Sequence, residues 1–402
     1  MNDLFAELGL RRVINGCGYV TALGASPVWD DVVAAVAGIL PHNVEMSDLQ
    51  RAANEAIAKA TGAEAGCVTA CAASGIAVSI AAAMTGADLA KIEGLPDARG
   101  MKDEVIIQRG HSVDYSGHVL QMIRITGAKA IEIGSVNGCG RYNVTGAINE
   151  RTACGLYVVS AQAPQGSFVD LPTFVSLCHA KGVPVVVDAA TDYELKPFID
   201  MGVDLVVQSG HKRLGGLTAG VIAGRLDLVR AAYMQERGIG RAMKVGKEGV
   251  VGVIAALKRY TATDQAEVVR RERARAQIAV DRLSKLKGFT AHLSADPTGK
   301  PLTKARIHVD AEKAGVNAVA IVRRLAEGNP TIKIEDYDSA HGYLAIEPTC
   351  LSDADMETVC ARIAEIAAAG GGSETKSAET FDDRRHRLLT TWPKRIAGGP
   401  QA

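Results

Sequence analysis

Aromatic side chains are scarce in this chain: Phe, Trp and Tyr together make up only 4% of its 402 residues. A core without large rings has to be filled by many small groups, and the plentiful Ala and Gly suit close helix–sheet packing. Net charge is missing too. Lys plus Arg is 45 and Asp plus Glu is 45, so the basic excess that marks nucleic-acid binders is not there. No uninterrupted apolar run reaches the ~20 residues that a membrane helix needs. The start, Met1-Asn2-Asp3-Leu4-Phe5, lacks the basic, apolar, small order of a secretory leader. A soluble, cytoplasmic protein is expected. The eight cysteines, at positions 17, 67, 71, 139, 154, 178, 350 and 360, include no Cys-x-x-Cys pair. Cys67 and Cys71 have no nearby Cys/His pair to complete a zinc set, so free thiols and no metal are expected.

What the chain does have is enough apolar material, 47% of its residues, for two or three domains with sizeable cores. From about residue 66 to 223 short β-branched runs alternate with helical stretches. Strands are expected at 66–70, 104–108, 129–133, 155–160, 183–188, 205–208 and 219–223, with helices at 76–84, 113–126 and 172–180. Several strands are continuous apolar runs, as strands covered on both faces are. The pattern predicts an α/β fold with a mostly parallel, doubly wound sheet, whose ligands bind beyond the carboxyl ends of the strands.

Around that domain, placed at 61–262, residues 1–60 read as an N-terminal arm followed by a helix at 48–61. A helical stretch at 247–286 links to a small C-terminal α/β domain, the linking helix and domain together taking 263–370. Its strands are expected at 305–309, 331–335 and 343–346, and its helices at 316–327 and 353–369. The Gly-rich run at 370–377 reads as a linker, and Arg384, Arg385, Arg387, Lys394 and Arg395 make the tail to residue 402 basic.

Lys212 is the residue with the most to say. It lies three residues past an apolar strand, in Gln208-Ser209-Gly210-His211-Lys212-Arg213-Leu214-Gly215-Gly216. A solvated surface charge explains this setting poorly, whereas an amine that joins a carbonyl cofactor suits it. Burial would lower the amine's pKa and keep it nucleophilic. About two dozen residues upstream, the run from Val183 to Val187 ends in Asp188. A strand-end carboxylate followed by a strand-end lysine suits pyridoxal 5'-phosphate, whose ring nitrogen needs an anion beside it to draw electrons from the bond being broken. Taken singly, Lys212 also reads as a surface lysine and Asp188 as a turn cap; together they favour the cofactor.

Other residues fill out such a site. Ala70-Cys71-Ala72-Ala73-Ser74-Gly75 follows a strand and opens a helix, so its amides and the Ser74 hydroxyl suit a phosphate. Ser209 and Thr218 are further phosphate donors around the lysine loop. His111 lies past a strand end, where it can stack on the pyridine ring, and Gln162 is a partner for the ring hydroxyl. The turn from Gly238 to Lys247 carries Arg241, Lys244 and Lys247, of which Arg241 can clamp a substrate carboxylate.

At these residues the chain resembles the fold-type I pyridoxal phosphate enzymes, and within them the selenocysteine synthase-like group of tRNA-dependent selenium transferases and amino sugar acid ammonia-lyases. The likeness runs from about Arg12 to Tyr260 and rests on Val13-Ile14-Asn15-Gly16, Ser74-Gly75, residues 104–110, Asp188, the lysine loop and the turn from Arg241 to Lys247. It implies that Lys212 holds the cofactor, that Asp188 pairs with its nitrogen and that His111 stacks on it. It also implies a homodimer or higher homo-oligomer with shared sites. Lys244 stands where tRNA-dependent members tend to carry a second Arg. Those members have an extra N-terminal tRNA-gripping domain, whereas here the likeness begins near residue 11. With the neutral charge, this points away from nucleic acid and toward a small amino acid or amino sugar acid. The expected reaction is an ammonia-lyase-type α,β-elimination, in which a β-substituent leaves and hydrolysis then frees ammonia and a keto acid, with racemisation or epimerisation as the alternative and aminotransfer or tRNA-dependent selenium transfer further off.

Overall fold

The computed structural model describes residues 4–371 and 381–392. Most of the expected linker, and the tail residues Lys394 and Arg395, lie outside the described residues. The chain divides into two units, residues 26–264 and residues 1–25 with 265–402. The first strand, β1 (Val13–Gly16), belongs to the second of these. Residues 26–264 carry β2 (Ala65–Thr69), β3 (Glu104–Gln108), β4 (Lys129–Ile133), β5 (Thr152–Val158), β6 (Val185–Asp188), β7 (Leu205–Ser209) and β8 (Gly220–Gly224). The other unit continues with β9 (Phe289–Ala295), β10 (Thr303–Val309), β11 (Thr331–Ile334) and β12 (Tyr343–Ile346).

In the larger unit the strands lie in the order β2-β8-β7-β6-β5-β3-β4. β3 through β7 pair in parallel, while β8 is antiparallel to both of its neighbours, β2 and β7. A reversed strand between two of like direction leaves the carboxyl ends of β2 to β7 at one edge, where β8 begins. Val185 and Val187 enter one apolar cluster with Ile57, Phe174 and Val253. Val186 enters the opposite cluster with Val207, Ile76, Ile80 and Ile123. Alternate side chains are therefore covered by helices on both faces, which is why these strands read as unbroken apolar runs. The expected mostly parallel, doubly wound α/β sheet is the fold found.

The helix Ala72–Thr85 crosses the middle of this sheet and is buried almost all round. Its small side chains let it approach closely. At Gly75 an added Cβ would stand 2.7 Å from Val207 Cγ1, nearer than any real contact. The expected helix at 113–126 is shorter, Val119–Arg124. Residues 112–118 form a loop instead, because Asp114 Oδ1 accepts the Ser116 N–H at 2.8 Å and Ser116 takes φ 82°.

The smaller unit has the three-stranded antiparallel order β12-β10-β9, covered by the helices Gln265–Leu283, Ala318–Glu327 and Asp353–Ala369. β1 pairs in parallel with β11, Val13 opposite Thr331. The expected N-terminal segment 1–60 is thus split. Ile14 is buried in the smaller core, whereas Ala53 and Ile57 of the helix Met46–Thr61 are buried in the larger one. The expected helix at 247–286 is likewise two helices, Lys247–Ala262 and Gln265–Leu283, parted at extended Thr263, and the boundary between the units falls at 264/265. In the tail, a helix spans Phe381–Thr391.

Gly220 sits in β8 between Thr69 of β2 and Ser209 of β7. A Cβ there would lie 2.2 Å from the Cys71 carbonyl oxygen and 2.5 Å from Thr69 Oγ1. Backbone does not swing aside as a flexible side chain does. Gly220→Ala is expected to lower stability by about 1–3 kcal/mol, read as a lower denaturation midpoint; an unchanged midpoint would show that the turn at Cys71 yields.

Candidate active site at the carboxyl edge of the sheet

The candidate cofactor residues all emerge at the shared edge. Ser74 and Gly75 follow β2, His111 follows β3 and Gln162 follows β5. Asp188 ends β6, Ser209 ends β7, Lys212 comes after it, and Thr218 precedes β8.

Asp188 is buried, level with Val158 on one side and Val207 on the other. Strand alternation turns it to the same face as Val186, toward the helix Ala72–Thr85. Its Oδ1 accepts the Ala190 N–H at 3.1 Å. The Ala190 carbonyl accepts the Ser209 N–H at 3.3 Å, so the aspartate's segment is bonded directly to the start of the lysine loop.

The loop itself is tightly held. Gly210 N–H donates to the Ala219 carbonyl at 2.8 Å, Gly216 N–H to Gly210 at 2.9 Å and Gly215 N–H to Lys212 at 3.0 Å. The Ser26 hydroxyl donates to the His211 carbonyl at 2.8 Å and lies 3.2 Å from that of Lys212. Gly215 takes φ +63°, and a Cβ there would fall 2.1 Å from Trp29 Nε1, so only glycine fits. Beside the half-buried Lys212, the Arg213 guanidinium stacks 3.8 Å over the Tyr193 ring and hydrogen-bonds Tyr260. The Tyr260 hydroxyl donates to the Tyr193 carbonyl.

At the turn between β2 and the helix Ala72–Thr85, the Ser74 hydroxyl expected to meet a phosphate already has partners in the protein. It donates to the Cys71 carbonyl at 2.7 Å and accepts the Cys71 N–H at 2.9 Å, closing a capping box. What the turn offers an anion is the backbone N–H of Ala72 and Ala73, which no intrahelical carbonyl can reach. Gly75 serves close packing on Val207, and its N–H bonds the Cys71 carbonyl at 2.9 Å. Ser209 is buried, whereas Thr218 and Gln162 are exposed.

His111 is buried, with its ring edge-on to Tyr157 at 4.4 Å and stacked with Phe168 at 5.9 Å. Its Nδ1 accepts the Val158 N–H at 3.3 Å. Arg241 and Lys244 are both exposed. Their turn is tied to the end of β2, since the Met243 carbonyl accepts the Ala70 N–H at 3.3 Å. Burial raises the pKa of nearby Glu236, with Arg241 opposing the shift. Lys247 is occupied: its ammonium donates to the carbonyls of Leu40, at 2.8 Å, and His42.

Sequence reasoning missed two polar groups here. Among the described residues, the buried Tyr115 hydroxyl and His211 Nδ1 have no hydrogen-bond partner. Burial and the adjacent Lys212 charge lower the pKa of His211, keeping its imidazole neutral. Tyr115 was hidden inside an expected helix, and the Asp114-x-Ser116-Gly117 turn chemistry was the available signal. Unfilled first-turn amides, a buried carboxylate, a lysine and two orphaned polar atoms fit pyridoxal phosphate.

Burial pushes the His111 pKa down from 6.5 to about 4. The unfolded chain then binds the extra proton first as pH falls, so His111's contribution is present above 6.5 and is lost between 6.5 and about 4. The loss is about 3 kcal/mol. His111→Phe is expected to show a correspondingly flatter fall of stability with acidification over that window. Equal slopes for both proteins would contradict the account.

The chain matches the family model "L-seryl-tRNA selenium transferase" over residues 13–277. It is 36% identical to the D-glucosaminate-6-phosphate ammonia lyase of Salmonella typhimurium, over 91% of this chain and 98% of that protein. A 5'-C-glycyluridine monooxygenase-decarboxylase of a Streptomyces species is 35% identical over 92% of this chain and 94% of its own length. The L-seryl-tRNA(Sec) selenium transferase of Aquifex aeolicus is 30% identical over 62% of this chain, which spans 58% of that protein. The solved structure of D-glucosaminate-6-phosphate ammonia-lyase superposes with a TM-score of 0.83 at 35% identity, covering 92% of this chain and 100% of that one. The Escherichia coli cysteine desulfurase CsdA, at 18% identity and a TM-score of 0.55 over 89% of this chain and 94% of that one, shares the fold. The chain belongs to the L-seryl-tRNA selenium transferase family, a group of pyridoxal-phosphate enzymes of fold type I.

Proposed function

We propose that this enzyme is a lyase that releases ammonia from a small amino acid or amino sugar acid with a leaving group on the carbon next to the α-carbon. The observation that carries the reading is the register of β6 and β7, which brings Asp188 and the Lys212 loop to one edge through Ala190 and Ser209. When bound, pyridoxal phosphate supplies the electron sink for the bond broken at the α-carbon. Lys212 anchors the cofactor and then takes the α-proton on its amine. Asp188 keeps a proton on the ring nitrogen. His111 stacks on the ring, Gln162 meets the ring hydroxyl, and the Ala72 and Ala73 amides, with Ser209, His211 and Thr218, serve the phosphate.

Arg241 and Lys244 bind the substrate's anionic groups. Two exposed cations on one turn suit a substrate with two anions, and D-glucosaminate 6-phosphate, named for one relative, has a carboxylate and a phosphate. The neutral charge balance supports a small-molecule substrate rather than nucleic acid. No described helix is long and apolar enough to cross a membrane, and the eight free cysteines suit the cytoplasm. Exposed Trp29, Val33 and Leu40, with Trp29 packed on the lysine loop, support a homodimer or larger homo-oligomer.

Lys212→Ala is expected to lose the visible absorption of bound cofactor together with turnover; a variant that keeps both would exclude Lys212. Purified enzyme incubated with D- and L-amino acids and phosphorylated amino sugar acids is expected to release ammonia and a keto acid in equal amounts. Loss of optical activity without keto acid would instead make it a racemase, and oxygen uptake with carbon dioxide release would align it with the Streptomyces relative. Arg241→Ala is expected to raise KM about 10- to 100-fold with kcat little changed, as loss of a charge-assisted contact made equally in substrate and transition state would. An unchanged KM would remove Arg241 from the site.

A further inference from the structure

Tyr115 lies in the loop between β3 and the helix Val119–Arg124. Its hydroxyl is shut off from solvent yet has no hydrogen-bond partner among the described residues. A buried phenol left unpaired is destabilising, and a partner from outside the folded chain would relieve that cost.

What surrounds it narrows the choice. The ring packs in the same apolar cluster as Ala72, the first residue of the helix whose N-terminus opens on the sheet edge. Burial first, and then the nearby ionisable groups Asp188, Cys71 and Asp114, push the phenol's pKa up. The hydroxyl therefore stays protonated and acts as a donor. Two of these groups belong to the candidate site: Asp188 ends β6, and Cys71 caps the helix Ala72–Thr85. Two donors expected from sequence for the cofactor's phosphate are weakened in the structure: Ser74 spends its hydroxyl within the capping box, and Thr218 is exposed.

We propose that the Tyr115 hydroxyl is a hydrogen-bond donor to the cofactor's phosphate, completing the cradle begun by the Ala72 and Ala73 amides. This rests on the cofactor reading above. It has a consequence that a structural tyrosine would not share. Because the hydroxyl bonds nothing in the protein alone, its removal leaves the cofactor-free protein at least as stable and weakens only the loaded form.

The test compares cofactor-free wild type with Tyr115→Phe, each titrated with pyridoxal phosphate and, separately, with pyridoxal, which lacks the phosphate. Tyr115→Phe is expected to bind pyridoxal phosphate about 10- to 100-fold more weakly, as loss of a hydrogen bond to a charged group implies. Its affinity for pyridoxal is expected to stay within about twofold. Its cofactor-free melting temperature is expected to match or exceed that of wild type, with a smaller rise on adding pyridoxal phosphate. Equal weakening toward both ligands would place the hydroxyl elsewhere and overturn the proposal. So would unchanged affinity for pyridoxal phosphate, or a lower melting temperature of the cofactor-free variant. Wild type that binds neither ligand would instead overturn the cofactor reading, and the proposal with it.

Discussion

The parallel pairing of β6 with β7 is the constraint on which the site depends. It sets Asp188 level with Val207, and the bond from Ser209 N–H to the Ala190 carbonyl then fixes where the chain leaves β7 for Lys212. A shift of one residue in this register would turn Asp188 to the other face of the sheet, away from the helix Ala72–Thr85. Reversed β8 adds to this by entering at the same edge, so that the loop from Ser209 to Gly220 is a short closed turn rather than a crossover.

Close approach is the second requirement, and small residues meet it. Gly75 on Val207, Gly220 on Cys71 and Gly215 on Trp29 are contacts that a Cβ would break. They bring the N-terminus of the helix Ala72–Thr85 and the lysine loop close against the sheet. Several of the few aromatic side chains stand beside it. Tyr157 and Phe168 flank His111, with Phe174 edge-on behind Tyr157, while Trp29, Tyr193 and Tyr260 brace the lysine loop through glycine and arginine contacts. Aromatic groups are rigid for their size, which suits walls that have to hold a reacting group in place.

Long apolar runs made the central sheet legible, because both faces of each strand are covered. The loop around Lys212 was legible as a strand-end turn because its glycines follow an unbroken apolar run. β9 escaped because Phe289-Thr290-Ala291-His292-Leu293-Ser294-Ala295 alternates weakly, with alanine at two of the apolar positions. The split of the N-terminal segment escaped as well, since the partner of β1 lies more than three hundred residues away in β11. Ser74 was assigned to the phosphate on residue type alone. Serine at the third position of a helix equally satisfies the cap, and in the structure it does. Tyr115 escaped because its segment reads as helix; the Asp114-x-Ser116-Gly117 signal marks a loop there, but it does not tell that the hydroxyl is buried without a partner.

The most direct test is chemical fixation of the bound cofactor. Cofactor-loaded enzyme is reduced with borohydride, digested and mapped by mass spectrometry. The account requires the pyridoxyl group on Lys212, with Asp188→Asn still labelled there but devoid of turnover. Label on another lysine, or none on wild type that carries cofactor, would contradict it.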